Sequence, residues 1–475
     1  MNRCTSRRAF LKSTAIGLGA LVCGRTPGRA AAARRPNIIF LLTDDHRWDA
    51  LGCAGNRIVR TPNIDAMAAD GVRFTNAFVT TSICATSRAS IFSGQYARRH
   101  GIHDFATPFS DAAWADTYPA RLKAAGYRLG LVGKYGVGAD RDFHKDTFDF
   151  WRGIAGQPVY EQADEHGNYK HLTTIMGEQS IEFLRGGSTA RPFCLSVSFK
   201  APHVQDADPR QFIYDRAYRD LYQDVTIPVP QTASPEHVAT LPEFLRNDAT
   251  TARVRWRMRF DTPAKYQEMV KGYYRLITGV DVVVGRIRDE LDRLGLADNT
   301  VILFMGDNGF FLGEHGLAGK WYGYEESIRV PLVVYDPRLP AVCRGRTPAQ
   351  IALNIDVAPT ILSLADCEVP PAMQGADLSP VMRGRKGLAR SDFFYEHLFA
   401  HRPAGGGANL IPQTEGVVSL RYKYLRYIEQ DPAYEQLFDL RMDPHESRNL
   451  AGEPDRHGLL QAMRARWGQF KEQCH

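Results

Sequence analysis

Two pairs of hard oxygen donors stand far apart in the chain, Asp44-Asp45 and Asp307-Asn308. Four oxygen-donor side chains with no soft ligand among them suit Ca²⁺ or Mg²⁺. Taken alone, Asp45 could cap a helix and Asp307-Asn308-Gly309 could form a turn. Two acid-rich strand ends in one sheet favour the metal. Lys134 in VGKYG, His203 in KAPH and Lys320 in GKWY each follow a strand candidate or sit in a loop on the same face. A lone lysine is usually a solvated charge and a lone histidine usually structural, but three such groups converging make an anion pocket. Lysines act there as point charges, and Arg88 adds a forked contact. Cys84 opens SICATSRASIFSG, and Ala85 to Ser93 reads as a helix. A helix N-terminus favours an anion. A nucleophilic cysteine wants a histidine to make its thiolate, and spacing names none. A thiolate also matches a hard metal poorly. The thiol is the wrong group for its surroundings.

These residues need a scaffold that brings distant segments together. Asn37–Leu42 and Val301–Met305 are continuous apolar runs that end abruptly in Thr43-Asp44-Asp45 and Gly306-Asp307-Asn308. Such runs suit parallel strands buried on both faces. Tyr127–Val132 and Phe193–Phe199 are shorter strand candidates, and Asn63–Asp70, Ile175–Leu184 and Tyr266–Leu294 carry helical patterns. Strands alternating with helices predict an α/β chain with a doubly wound sheet, whose ligand crevice lies at the carboxyl ends of the strands. Residues 204–265 read as an irregular insertion near that crevice. Beyond about 385, Gly416–Tyr427 reads as a hairpin or meander and Gly458–Gln473 as a terminal helix. Together they predict a small antiparallel subdomain. Ala404–Ala408 reads as a flexible surface loop.

The first 33 residues stand apart. Ser6-Arg7-Arg8-Ala9-Phe10-Leu11-Lys12, the mild apolar run to Cys23 and the stretch Ala30–Ala33 read as a twin-arginine export signal with its cleavage site. The apolar run is shorter than the ~20 residues a membrane span needs. Setting aside the signal's six basic residues leaves 53 of 59, against 53 acidic ones, so the chain from Arg34 on is formally neutral. The basicity therefore belongs to export and not to nucleic-acid binding. The expected organisation is signal 1–33, catalytic domain 34–384 and C-terminal subdomain 385–475, with a periplasmic or extracellular destination. Cys53, Cys84, Cys194, Cys343, Cys367 and Cys474 are scattered without a C-x-x-C pair, which suggests neither a zinc site nor a dense disulfide framework.

SICATSRASIFSG resembles the sulfatase signature C-x-P-S-R-x-x-x-x-T-G, whose cysteine is oxidised to formylglycine. Cys84, Ser87, Arg88 and Gly94 match, and Ser93 replaces threonine. Asn37–Asp45, Met305–Gly316, Gly319–Pro337 and Tyr434–Leu450 are similar to other sulfatase segments. The resemblance implies an alkaline-phosphatase-like fold, a large mostly parallel sheet flanked by helices with a smaller C-terminal antiparallel subdomain. It implies a calcium ion, with Mg²⁺ as the alternative, held by Asp44, Asp45, Asp307, Asn308 and the converted Cys84. The hydrated aldehyde at position 84 would attack sulfur, and the sulfated gem-diol would then release sulfate. Arg88, Lys134 and Lys320 would neutralise the sulfate oxygens, and His203 would protonate the leaving oxygen. The implied partners are a formylglycine-generating enzyme and the twin-arginine export machinery, which passes folded proteins.

Two positions depart from the family pattern. Thr86 stands where the signature has proline, and Gly136 stands where many members have histidine in G-K-x-H. His100 and His103 are candidates to replace that histidine. Ile411–Tyr427 resembles sulfatases that act on carbohydrates, so a sulfated sugar is the expected substrate. Arg253–Arg259 (RVRWRMR) could meet a sulfated polysaccharide, but a partly packed helix face is the favoured reading. The rival functions are a phosphonate or phosphate ester hydrolase on the same scaffold and a non-catalytic binder of sulfated glycans with Cys84 unconverted. Nothing in the sequence fixes the oligomeric state.

Overall fold

Asn37–Asp44 (β1) is buried at every position, as a run of apolar side chains without alternation requires when both faces of a sheet are covered. It lies at the centre of a seven-stranded sheet in a computed structural model that describes residues 34–139, 144–187, 191–385, 387–388, 390–402 and 409–474. The other strands are Val72–Arg73 (β2), Arg128–Lys134 (β3), Phe150–Ile154 (β4), Phe193–Pro202 (β5), Thr300–Gly306 (β6) and Leu332–Tyr335 (β7). Their spatial order is β2-β7-β6-β1-β5-β3-β4. The block from β6 through β4 is parallel, and β7 runs antiparallel to β6. This is the α/β arrangement the alternating pattern predicts, with an antiparallel edge that the short run at 332–335 did not announce.

Helices cover both faces. Pro62–Asp70 (α1), Leu172–Arg185 (α3) and the 31-residue Pro263–Arg293 (α5) pack on one side, with α5 against both α3 and β5. Cys84–Ser93 (α2) lies within the other core layer and is buried at all ten positions. Residues 204–265 are not wholly irregular: they fold into short helices, among them Thr251–Arg259 (α4), capped by Thr250 accepting from the Arg253 N–H. A separate antiparallel sheet follows, Asp392–His397 (β8), Thr414–Ser419 (β9), Tyr422–Tyr427 (β10) and Tyr434–Asp439 (β11), in that spatial order, with His457–Gln473 (α6) after it. Residues Arg35–His475 form one compact unit. The six cysteines from Arg34 on are all free. Among the described residues no helix is long and apolar enough to cross a membrane. The export signal and the Ala404–Ala408 loop lie outside the described residues.

Register decides what meets at the carboxyl edge. Thr43 pairs with Gly306 across β1 and β6, so Asp44-Asp45 emerges beside Asp307-Asn308. Asp44 pairs with Pro202 across β1 and β5, which sets His203 alongside. Gly133 pairs with Ser198, and Lys134 ends β3 next door. A one-residue slip would turn these side chains away from one another.

Two histidines, His397 buried and His100 half-buried, give the fold an acid limit. His100 and His397 are both held near pKa 3 by burial, with His103 adding to the effect on His100. His397 is fully buried and neither ring nitrogen has a hydrogen-bond partner. The unfolded chain binds these protons near the ordinary 6.5, the folded chain only near 3. Their contribution is therefore complete above pH 6.5 and is lost as pH falls from there towards 3. We expect the melting temperature to drop steadily across that window and His397→Gln to flatten the drop. An unchanged slope in the variant would refute the assignment.

Candidate active site

β1 delivers Asp44 and Asp45 by ending in a left-handed turn: Asp45 has φ of +64°, a conformation Asp tolerates better than most residues. The turn is tied on three sides. The Asp45 N–H donates to Asp307 Oδ1 at 3.1 Å, the Asp307 N–H donates to Thr43 O at 2.8 Å, and Tyr273 on α5 donates to Asp45 O at 2.8 Å. α2 delivers Cys84 as its first residue and Arg88 one turn later, so both point from the same end of a helix into the strand termini.

Three cations meet the carboxylates. Lys134 Nζ lies 2.5 Å from Asp44 Oδ2 and 3.4 Å from Cys84 Sγ. Lys320 donates to Asp45 Oδ1 and lies 3.7 Å from Asp44 Oδ1. Arg88 donates through Nε to Asp307 Oδ2 at 2.9 Å, through Nη1 to Lys134 O at 2.7 Å and to the Ser198 hydroxyl, and its Nη2 lies 3.4 Å from Asp44 Oδ2. His203 donates from Nδ1 to Val204 O at 2.6 Å, because a carbonyl can only accept, and this leaves Nε2 turned to Asp45 Oδ2 at 3.6 Å. Every one of these side chains is buried. The structure thus brings together Asp44, Asp45, Cys84, Arg88, Lys134, His203, Asp307, Asn308 and Lys320, from six separate segments.

Burial would raise the Asp44 carboxyl, but Lys134, His203, Lys320 and Arg88 overrule it and hold the group far below the usual range. Asp307 goes the other way, up to about 6, through burial and the charge on Asp44. Burial also pushes the Cys84 thiol up, against the pull of Lys134 and Lys320. The unmodified side chain is therefore a protonated thiol with no histidine bonded to it, a poor nucleophile.

The donor set fits a hard divalent cation. Asp44, Asp45 and His203 each offer an atom within 4.8 Å of the others'. Asp44 Oδ1 and Asn308 Oδ1 are buried without a hydrogen-bond partner, while Asn308 Nδ2 donates to Asp45 Oδ1 at 2.6 Å. Buried oxygens left without donors amid carboxylates are what such an ion takes. Chemistry, not volume, marks this place. A cavity of about 730 Å³ lined by Arg47, Asp49, Glu314 and Glu326 among others includes none of the clustered residues.

The two departures have local explanations. Thr86 sits in the first turn of α2, where a proline would forgo only an N–H that helix starts leave unpaired, and its hydroxyl is buried without a partner. Gly136 has φ of +77°, and a Cβ there would meet Arg88 Cδ at 2.7 Å. Position 136 thus has no room for a histidine while Arg88 holds its course. Neither candidate replacement reaches the cluster: His100 bonds Ser90 Oγ at 3.0 Å and accepts from the Ile102 N–H, and His103 makes no hydrogen bond to the clustered residues. We expect Gly136→His to lower kcat/KM at least about tenfold, and Gly136→Ala to share most of the loss, since φ > 0 and a displaced Arg88 together cost about 2 kcal/mol. A gain in turnover by Gly136→His would refute this. No local pattern marks Ser198 or Tyr273, whose roles depend on contacts 110 and 228 residues away.

Comparison with known proteins follows the same geometry. The sulfatase family profile matches residues 36–367, and that of the N-sulphoglucosamine sulphohydrolase C-terminal region matches 313–473. An N-acetylglucosamine-6-O-sulfatase of Bacteroides thetaiotaomicron is 28% identical over 92% of this chain and 87% of its own length. A choline-sulfatase of Rhizobium meliloti is 29% identical over 88% and 83%. A protein solved in complex with its substrate D-glucosamine-2-N,6-O-disulfate superposes with a TM-score of 0.76 and 26% identity, over 93% of this chain and 98% of that one. The phosphonate monoester hydrolase of Agrobacterium radiobacter has a TM-score of 0.77 at 21% identity, over 93% and 96%, and shares the fold.

Proposed function

The chain belongs to the sulfatase family, and from that premise we propose that it hydrolyses a sulfate ester of a sulfated carbohydrate, using residue 84 after its conversion to formylglycine. It is a sulfuric ester hydrolase of the alkaline-phosphatase-like fold. The observation that carries the reading is the meeting of Arg88, Lys134 and Lys320 with Cys84 and the carboxylates at one strand edge. The likeness to an N-acetylglucosamine-6-O-sulfatase and to a complex with a sulfated glucosamine supports a sugar substrate.

Asp44, Asp45, Asp307 and Asn308 would hold a calcium or magnesium ion, which would supply positive charge where the sulfate oxygens gather negative charge. The hydrated aldehyde supplies a hydroxyl nucleophile at a position where the thiol is protonated. Lys134 and Lys320 approach from two strands and grip the sulfate oxygens as fixed charges, costing no reorganisation when charge shifts. Arg88 is already committed to Asp307, Lys134 O and Ser198, so it acts by holding the floor of the site as much as by contact. His203 is fixed by its Nδ1–H on Val204 O, so Nε2 is the atom that passes a proton to the leaving oxygen. The paired arginines and apolar run at the N-terminus support export to the periplasm or beyond after cytoplasmic maturation.

A peptide mass spectrum across residue 84, on protein from a host with a formylglycine-generating enzyme, tests the reading together with paired assays on sulfated sugars and phosphonate esters. An aldehyde or its hydrate with sulfate release supports it. Unmodified cysteine, beside a converted control sulfatase from the same host, would leave a binder of sulfated glycans. Faster phosphonate cleavage would move the activity to the rival hydrolase.

A further inference from the structure

The basic run on α4 divides into two pairs. Arg253 donates to Gly316 O at 2.6 Å and lies over Trp256, and Arg257 pairs with Asp248 at 2.5 Å. Arg255 and Arg259, one helical turn apart, share a single carboxylate: Asp206 takes Arg255 Nη2 at 3.2 Å and Arg259 Nη2 at 2.8 Å. Arg259 is fully buried, donates Nε to Gln211 Oε1 at 2.8 Å, and has a buried Nη1 with no hydrogen-bond partner. Arg255 stays partly exposed, with its guanidinium 5.0 Å from the centre of the Trp321 ring.

The position of this trio gives it meaning. Asp206 follows the proton donor His203 by three residues, and Trp321 follows Lys320 directly. α4 packs on the strand Ala318–Gly319 that leads into Lys320. Two guanidiniums against one carboxylate leave a surplus positive charge beside the two residues that would face the ester. A buried donor without an acceptor is a cost the free protein carries. Burial pulls Arg259 down to about 10, which fits a cation lacking full compensation.

We propose that Arg255, tethered through Asp206 and backed by Arg259, is a second anion contact that selects sulfate esters whose alcohol portion carries a further negative group. This deepens the carbohydrate-sulfatase reading and rests on it. Sulfate and carboxylate share the required chemistry, a planar or tetrahedral oxyanion able to take a guanidinium fork. The contact acts on binding, since Arg255 pairs with Asp206 and lies over Trp321, neither of them among the clustered residues.

The test compares wild type, Arg255→Gln and Arg255→Lys on N-acetylglucosamine 6-sulfate, on glucosamine 2-N,6-O-disulfate and on an unsaturated uronyl disaccharide of N-acetylglucosamine 6-sulfate. For Arg255→Gln we expect KM to rise about tenfold on the disulfate, the scale of one charge-assisted contact, with kcat kept and the monosulfate within about twofold. A matching rise on the uronyl substrate adds carboxylate as a source, and its absence confines the contact to sulfate. Arg255→Lys keeps the charge and falls between, which also serves if the glutamine variant does not fold. Equal losses on all three substrates would mean a purely structural tie and overturn the inference. Should wild type cleave an aryl sulfate but none of the sugars, the carbohydrate reading fails. Inhibition of that aryl sulfatase activity by the disulfate then decides: weakening in Arg255→Gln supports the contact, and no change overturns it.

Discussion

Cys84→Ala removes turnover by about four orders of magnitude or more, the scale on which enzymes lose a covalent nucleophile. The fold survives, because alanine keeps the Cβ at a helix start already free of side-chain capping. Cys84 is 1% exposed and lies 3.4 Å from Lys134 Nζ, where three cations converge and where the thiol itself is protonated. The group at this position must be something other than a thiol to act, and alanine can never become it. Parallel measurements of kcat/KM and of chemical denaturation separate the two effects. Activity above about one part in a hundred of wild type, in a preparation free of host sulfatase, would remove residue 84 from the nucleophile's place.

The second large effect falls on stability as well as rate. Arg88→Met takes the guanidinium from between Asp44 and Asp307 and leaves the buried Asp307 without its paired cation, while Asp44 keeps Lys134. Removing one partner of a buried pair costs about 3–5 kcal/mol because the remaining charge is uncompensated. Methionine fills much of the volume, so the loss is electrostatic. Asp307 stands near pKa 6 even with Arg88 present, and without it the carboxyl holds its proton to higher pH. We expect the denaturation midpoint to fall at pH 8 and to recover in part as pH drops towards 6. Added divalent cation should narrow the gap. A variant within about 1 kcal/mol of wild type at pH 8 would contradict the account.

How legible each segment is in the sequence depends on how it is buried. β1 and β6 are central parallel strands, covered on both faces, and their uninterrupted apolar runs announced them. The acid pairs following them were legible because a strand that ends in two oxygen donors is chemically unusual. α2 was harder: it is buried all round, Arg88 included, so it has no polar face and no amphipathic period. Its residues read as a helix, but its chemical role came only from the motif. β7 was missed because four apolar residues between a proline and an aspartate do not state a direction. Residues 204–265 looked structureless since α4 is held by arginine contacts to Asp206, Gly316 and Asp248, which leave no hydrophobic period to detect. The replacement proposed for the histidine absent at 136 rested on sequence proximity to the signature. His100 is instead spent on Ser90 and the Ile102 N–H.

The pairing of β1 with β6 also sets a clock. Thr300, where β6 begins, comes 216 positions after Cys84, and until it has been synthesised β1 lacks one of its two neighbours and the pocket around residue 84 one of its walls. At 5–20 residues per second, ribosomal synthesis leaves an interval on the order of 10 to 40 s between the appearance of the cysteine and the arrival of that strand. A reagent that must grasp the chain around Cys84 has at least this interval before the sheet can close, and after closure meets a buried helix. A mutation that hastens closure of the sheet would then yield a stable, well-folded and chemically immature protein.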